Sequence, residues 1–424
     1  MNTRIAGLDS RFLDGLQVRS VHGARTCGRG VLKPVRTHSK RGDSKIARSN
    51  CRLPNPTFFI DTAFGCRRSA RNLHSHGAPK VLTACSIYVR EWIALAGEYI
   101  TTRGIVVKKR NLGKSGLEVS IAGLGCNNFG WNSDVEGARK VVHRALDVGI
   151  TLFDTADYYG GRGGSETMLG QILGDRRKDV IVATKFGMPM DDAETLKGAS
   201  RRYVLLAVEA SLRRLKTDWI DLYQVHQPDP LTPIEETLRA LDDLIRQGKV
   251  RYSGCSNHRA WRVVEAQWSS RNLGINAFSS CQDEYSLLVR KPELELLPAM
   301  EAYGLGLLPY FPLASGLLTG KYKRDQMPEG ARLTKVKGLA DRYLTDANWQ
   351  IVDRLEGFCA RRGHTMIEVA FSWLLSKPIV SSVIAGATKP EQVDQNVQAA
   401  NCALTPDELV EIDHLTDQFS GPGA

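Results

Sequence analysis

ITLFDTADYYGGRGGSETMLGQILGDRRKDVIVATKFG (150–187) carries the architecture in miniature. Two apolar, β-rich runs, ITLFDTA (150–156) and VIVATKF (180–186), flank an amphipathic stretch at 165–173, so the segment reads as strand, helix, strand. Continuous apolar runs, rather than strict alternation, mark strands of a parallel sheet covered by helices on its face. The same unit recurs on both sides. VSIAGLG (119–125) precedes it; IDLYQVH (220–226), VRYSGCS (250–256), AFSSCQ (277–282), LGLLPYF (305–311) and SSVIAGA (381–387) follow. Amphipathic stretches at 133–148, 200–215, 233–247, 260–272, 292–303 and 390–400 lie between these runs. Eight such strands within residues 108–424 predict an α/β fold, a (β/α)8 TIM barrel. A doubly wound sheet is the alternative. GLGCNNFG (123–130) matches its glycine-rich phosphate turn only loosely, and it lacks an acidic residue about 20 positions later at a strand end.

Three additions to the barrel are legible. KKRNLG (108–113) and LEVS (117–120), around the turn Lys114-Ser115-Gly116, predict an N-terminal β-hairpin able to plug the barrel floor. After strand 7 a long loop, polar and rich in Gly and Lys (315–345), leads into helices at 346–362 and 365–377. Thr405-Pro406-Asp407-Glu408 is a capping pattern that starts a C-terminal helix running to about Phe419. Long loops at one end of a barrel usually carry function.

Charge divides the chain in two. Residues 1–107 hold 18 Lys and Arg against 6 Asp and Glu, a net of +12, whereas 108–424 hold 39 against 40, a net of −1. The total of +11 therefore gives the barrel no basic face for nucleic acid, and no nucleic-acid partner is expected. No run approaches the roughly 18 apolar residues that cross a bilayer, so no membrane partner is expected either. Apart from a possible helix at 82–100, residues 1–107 lack periodicity. Cys27, Cys51, Cys66 and Cys85, even with His22, His38, His74 and His76, match no zinc spacing, and no metal site is predicted. The stretch is read as a disordered or non-native extension outside the working protein, with Val106 or Val107 near the true start. An Arg-rich, acid-poor transit peptide and a basic arm are the alternatives. Cys126, Cys255, Cys281, Cys359 and Cys402 show no CxxC spacing and predict free thiols in a reducing cytoplasm, with Cys126 at a strand end as a candidate oxidation site.

Active sites of such barrels lie at the C-terminal strand ends. Asp154, Lys185 and His226 close three successive strands, and Tyr159 follows Asp154 by five residues. Each has an ordinary explanation as a helix cap, a structural histidine or a packed ring. Lys185 is the odd one, because an ammonium ending an apolar strand must find a partner or lose its proton. Asp154 on the neighbouring strand is the natural partner. Together the four suit proton transfer to a carbonyl oxygen. Tyr159, with an unperturbed pKa of about 10, is a proton donor whose pKa a nearby ammonium lowers, and His226 can orient the oxygen.

At this point the sequence resembles the aldo-keto reductases. LGKSGLEVS (112–120), FDTADYYGGRGGSE (153–166), VATKFG (182–187), DLYQVHQPD (221–229), GKVRYSGCSN (248–257), PLASGLLTGKY (312–322) and IAGATKPEQVDQN (384–396) carry the resemblance, which covers about 108–419 in one order. It implies an oxidoreductase performing reversible, NADP(H)-dependent carbonyl reduction, with Asp154, Tyr159, Lys185 and His226 as the catalytic tetrad and Tyr159 as general acid. It also implies that Ser256, Asn257 and Gln282 hold the nicotinamide carboxamide and that Tyr310 stacks on the ring. Phe311, Pro312, Leu313, Ala314, Ser315, Gly316, Leu317 and Lys321 would cover the pyrophosphate. Gly386, Thr388, Lys389, Gln392 and Asn396 would bind the adenosine end, with Lys389 on a 2′-phosphate. The long loop after strand 7 makes the chain similar to the branch containing bacterial stress-type reductases and potassium-channel β subunits. Phe129, Trp131 and Tyr158, with Met188 and the 315–345 loop, would wall a pocket for a small carbonyl substrate. The alternative from another class is a nucleotide-sensing regulatory subunit with little turnover. Oligomeric state is not legible.

Overall fold

The computed structural model describes residues 107–417. An antiparallel hairpin opens the described chain, β1 (Lys109–Asn111) with β2 (Glu118–Ser120). Eight strands then alternate with helices: β3 (Ala122–Gly125), β4 (Leu152–Asp154), β5 (Ile181–Phe186), β6 (Ile220–Val225), β7 (Val250–Ser256), β8 (Ser280–Glu284), β9 (Gly306–Tyr310) and β10 (Val383–Gly386). They pair in parallel in the order β10-β3-β4-β5-β6-β7-β8-β9. The chain just before β10 closes the ring on β9: Leu307 donates to Ile379 O at 2.8 Å and accepts from Ser381 N at 3.0 Å. This is a (β/α)8 barrel, as the alternating runs predict.

The helices form where local signals and burial agree. Ser200 caps Arg201–Leu215 by accepting from Tyr203 N, and Thr365 and Thr405 form full capping boxes with Glu368 and Glu408. Helix Ile234–Arg246 buries Ile234, Leu238, Leu241 and Leu244 against the barrel, the spacing of one helical face. Asp346–Arg362 has the predicted bounds, because Thr345 caps its start and Gly363, at φ 75°, supplies the left-handed exit.

Three boundaries differ from expectation. VSIAGLG is not one strand. Ser120 Oγ donates to Ala122 O at 2.7 Å and accepts from Thr151 N at 3.0 Å, and this corner turns the chain from hairpin into barrel. The C-terminal helix is Pro406–Leu415, shorter than predicted: Thr416 turns its hydroxyl back onto Ile412 O and receives Arg290, which ends the helix. Phe419 lies outside the described residues. The 315–345 loop is not purely irregular, since short helical turns occupy Arg332–Lys335 and Lys337–Tyr343. Everything expected of residues 1–106 also lies outside the described residues.

The hairpin plugs the floor. Leu112 and Val119 are fully buried in a cluster with Leu152, Ala183, Leu222, Leu308 and Ile384 from five barrel strands. Each such burial stabilises by roughly 1.5–3 kcal/mol. Arg110 staples the plug by donating to Val380 O at 2.9 Å and Leu375 O at 2.7 Å. Gly113 (φ 57°) lies so close to the next loop that a Cβ would sit 2.4 Å from Gly304 O. Among the described residues no helix is long and apolar enough to cross a membrane.

Candidate active site

At the opposite end, the strand-end polar groups converge. Lys185, fully buried near the end of β5, donates to Asp154 Oδ1 at 2.9 Å, Asp154 Oδ2 at 2.8 Å and Thr155 O at 2.9 Å, and lies 3.4 Å from the Tyr159 hydroxyl. Burial alone would drive the ammonium toward neutrality. Asp154, next in weight, reverses this and with Tyr159 holds the Lys185 pKa above its ordinary value. Tyr159 is set by its turn, where Gly160 (φ 71°) approaches Phe129 O so closely that a Cβ would sit 2.5 Å away. Its phenol titrates above the usual range: burial raises it, Lys185 pulls it down, and Asp154 raises it again. Lys185 lowers this pKa, as expected of a neighbouring ammonium, but does not set its net direction. Desolvation outweighs the single favourable charge, and the phenol keeps its proton at neutral pH.

His226, just past β6, stands edge-on to Tyr159 with ring centroids 5.7 Å apart. Burial, then the Lys185 charge, push its pKa down to about 3, so the imidazole is neutral. Its Nδ1 is sealed without a protein partner, which leaves Nε2 for the cleft.

The residues expected to meet a nicotinamide lie beside this group. Asn257 takes a left-handed backbone (φ 58°), donates to His226 O at 3.0 Å and Ser256 Oγ at 3.1 Å, and accepts from the Tyr310 hydroxyl at 2.8 Å. It thus ties three strand ends together and does not cap the next helix. Gln282 does more than sequence reasoning assigned, donating to Asp154 Oδ1 at 2.8 Å.

The run after β9 is bent into uncommon backbone, with Phe311 at φ 51°, Ala314 at 46°, Ser315 at 57° and Gly316 at 98°. Such conformations cost about 1–3 kcal/mol each in non-glycine residues and cluster at ligand sites. Pro312, Ala314, Ser315 and Leu317 are buried, Leu313 and Gly316 half-buried. Lys321 is exposed and its Nζ hangs 3.4 Å from where a Gly316 Cβ would be. Past β10, Gly386, Thr388 and Lys389 are exposed, while Asn396 is buried. Gln392 Oε1 is already engaged, accepting from Thr388 N at 2.7 Å and Lys389 N at 3.3 Å.

Of the expected pocket wall, Trp131 and Tyr158 are in place: their rings lie 6.2 Å apart, and Trp131 lies 6.1 Å from Tyr159. Met188 is half-buried on the loop after β5. Phe129 is corrected. It is fully buried in the main core, because Gly130 N bonds Ser133 O and the loop folds its aromatic inward. A groove of about 520 Å³ runs from Trp131 past Met168 to Thr388. Cys126 is likewise corrected as an oxidation site, being fully buried with its thiol pushed well up by that burial and by Asp154.

Sequence reasoning missed Arg332. Its guanidinium lies 4.9 Å from the Phe311 ring centre, makes no ion pair among the described residues, and has its pKa lowered by burial while facing Tyr343, Tyr159 and Tyr322. Buried Glu284, at the end of β8, accepts from Arg342 and the Tyr343 hydroxyl and holds this segment against the rim. No local signal separates Arg332 from the neighbouring loop cations.

A parallel barrel whose rim joins a buried lysine–carboxylate pair to a protonated tyrosine and a neutral histidine defines an oxidoreductase of the carbonyl-reducing kind. Residues 122–417 match the aldo/keto reductase family, and the chain belongs to it. It is 39% identical over 317 residues to a probable voltage-gated potassium channel subunit beta of Oryza sativa subsp. japonica, covering 72% of this chain and 95% of that protein. It is also 36% identical over 321 residues to L-glyceraldehyde 3-phosphate reductase of Escherichia coli strain K12 (73% and 92% covered). An uncharacterised oxidoreductase of Bacillus subtilis strain 168 is 35% identical over 322 residues (74% and 96% covered).

Proposed function

We propose that residues 108–424 form an NADPH-dependent reductase of small aldehydes and ketones, acting reversibly on the CH–OH/C=O pair. The observation that carries this reading is Lys185, which is itself fully buried and bridges Asp154 and the Tyr159 hydroxyl. The cofactor fits the donor set: the Ser256 hydroxyl and the Gln282 amide oxygen stay available to a carboxamide beside Asn257, and Tyr310 offers an aromatic face. Lys321 and the unpaired Arg332 bring positive charge to the strained 311–317 run, suited to a pyrophosphate. Exposed Lys389 suits a 2′-phosphate. When bound, NADPH supplies the hydride.

Tyr159 gives its phenolic proton to the oxygen as alkoxide character develops. The Lys185 charge stabilises the phenolate left behind, and Asp154 keeps that charge in place at no reorganisation cost. Neutral His226 holds the carbonyl oxygen through Nε2–H. The phenolate recovers its proton from solvent through the open rim. Trp131 and Tyr158 favour short-chain or small aromatic aldehydes.

NADPH oxidation followed at 340 nm with an aldehyde panel tests the reading. Tyr159→Phe is expected to abolish most turnover and leave the NADPH dissociation constant nearly unchanged; retained turnover refutes the general-acid role. The potassium-channel relatives favour a second reading, a nucleotide sensor, which tight NADPH binding without turnover on any aldehyde would select.

A further inference from the structure

The barrel interior between floor and rim holds polar groups that the proposed chemistry does not use. Leu222, Gln224 and His226 follow one another at two-residue spacing on β6 and its end, so they share the inward face. Leu222 belongs to the floor and His226 to the rim, which leaves Gln224 between them. Both Gln224 side-chain atoms, Nε2 and Oε1, are buried without a hydrogen-bond partner among the described residues, as are Ser280 Oγ and His226 Nδ1. Register brings these groups together: Gln224 pairs with Lys185 on one side and Gly254 on the other, and Gly254 pairs with Ser280. A Cβ on Gly254 would sit 2.4 Å from Ser280 Oγ and 3.3 Å from Gln224 Cγ, so glycine lets an amide and a hydroxyl converge over bare backbone.

Three buried, orphaned polar atoms in one layer, with a fourth at His226 Nδ1 one layer above, are rare in proteins, which satisfy such groups with internal water. Two residues along a strand rise about 6.6 Å, a span that one water bridges between the Gln224 amide and the His226 ring. We propose that Gln224, Ser280 and the bare backbone of Gly254 form an internal water site, and that water held there donates to His226 Nδ1, fixing the neutral ring with its proton on Nε2. Gln224 is thereby a positioning residue for His226. Without a donor at Nδ1 the ring loses the bond that selects its tautomer and orientation. The consequence for a carbonyl oxygen rests on the reductase reading; the water and the tautomer do not.

The test uses the full chain as wild type, Gln224→Leu and Ser280→Ala. A crystal structure at about 1.5 Å, long-range ¹H–¹⁵N spectra of histidine-labelled protein, urea unfolding and NADPH kinetics are read together. In the wild type a water is expected within hydrogen-bond distance of Gln224, Ser280 Oγ and His226 Nδ1, with the Nε2–H tautomer. Gln224→Leu is expected to lose that water, move the Nδ1 resonance to that of an unbonded nitrogen, and lower kcat about five- to tenfold, the worth of one hydrogen bond, with NADPH affinity unchanged. Ser280→Ala, the milder change, reads the same resonance if Gln224→Leu fails to fold. A dry site in the wild type, or a Gln224→Leu protein that is more stable with His226 unmoved, overturns the proposal. Absent turnover in a wild type that shows the water and the tautomer sinks the reductase reading and leaves the water site standing.

Discussion

Asp154→Asn is a near-isosteric change that removes one charge from beneath the rim, together with one of the two oxygens that accept from Lys185 and Gln282. In the wild type Lys185 has no exposed surface and its ammonium is answered by both Asp154 oxygens at 2.8–2.9 Å. Taking away one partner of a buried pair costs about 3–5 kcal/mol, because the remaining charge is left uncompensated. The sign of the pH dependence sharpens the test. In the wild type the folded pKa of Lys185 lies above its ordinary value, so its contribution to stability is complete below pH 10 and fades only as pH rises through the folded value. In Asp154→Asn burial, the largest influence, is opposed by Tyr159 but no longer by a carboxylate, and it depresses that pKa. Between the depressed value and about 10.4 the unfolded chain then binds one more proton than the folded one, and stability must rise with pH by up to about 1.4 kcal/mol per unit. Urea unfolding at several pH values from 7 to 10 measures both quantities. A variant within about 1 kcal/mol of wild type, with a slope no steeper than the wild type's, would refute the view that Asp154 holds the Lys185 charge.

Three further outcomes are expected. Between pH 5 and 9, kcat/KM for reduction is expected to show no limb from His226, whose pKa is held near 3, or from Tyr159, held above the usual phenol. Burial pushes Asp283 to about 7, so any limb there must vanish in Asp283→Asn; one that persists assigns the ionisation to His226 and contradicts the neutral imidazole. Lys389→Ala is expected to weaken NADPH about tenfold and NADH hardly at all, the loss of one charge-assisted contact; titrations showing equal losses remove Lys389 from the 2′-phosphate. A chain beginning at residue 107 is expected to keep the turnover and unfolding midpoint of the full chain, and a large fall in either would make the preceding residues part of the working unit.

The strand–helix alternation was legible because several strands are apolar runs with a polar group at or just past the end, as with Asp154, Lys185 and His226, and because a barrel places those groups at one end. Caps made helices readable to the residue where Thr345 and Gly363 bracket Asp346–Arg362. What escaped depends on distance along the chain. Gln282 reaches Asp154 across 128 positions, and nothing local announces that bond. Phe129 looked like a pocket wall because rim loops are usually exposed, yet the turn at Gly130 folds it into the core. Arg332 resembles Lys323 and Arg324 in the same loop, but those two find Glu356 and Asp346, whereas Arg332 finds no carboxylate among the described residues. Charge pairing is a property of the folded rim, and composition does not reveal it. For Tyr159 the lowering by Lys185 was legible and the larger, opposite effect of burial was not, since sequence supplies charges but not the water they exclude.

The hairpin stopper leaves the molecule with a blind base and a working brim. Leu112, Val119 and Arg110 touch no group of the proposed chemistry, and the brim residues contribute nothing to the seal. Damage should therefore sort by height along the barrel axis. Lesions at the base should appear as less protein with unaltered kinetics per folded molecule, and lesions at the brim outside the buried Asp154–Lys185 pair as undiminished protein that works poorly. Scoring abundance and turnover side by side across a substitution library would draw that axis without any coordinates.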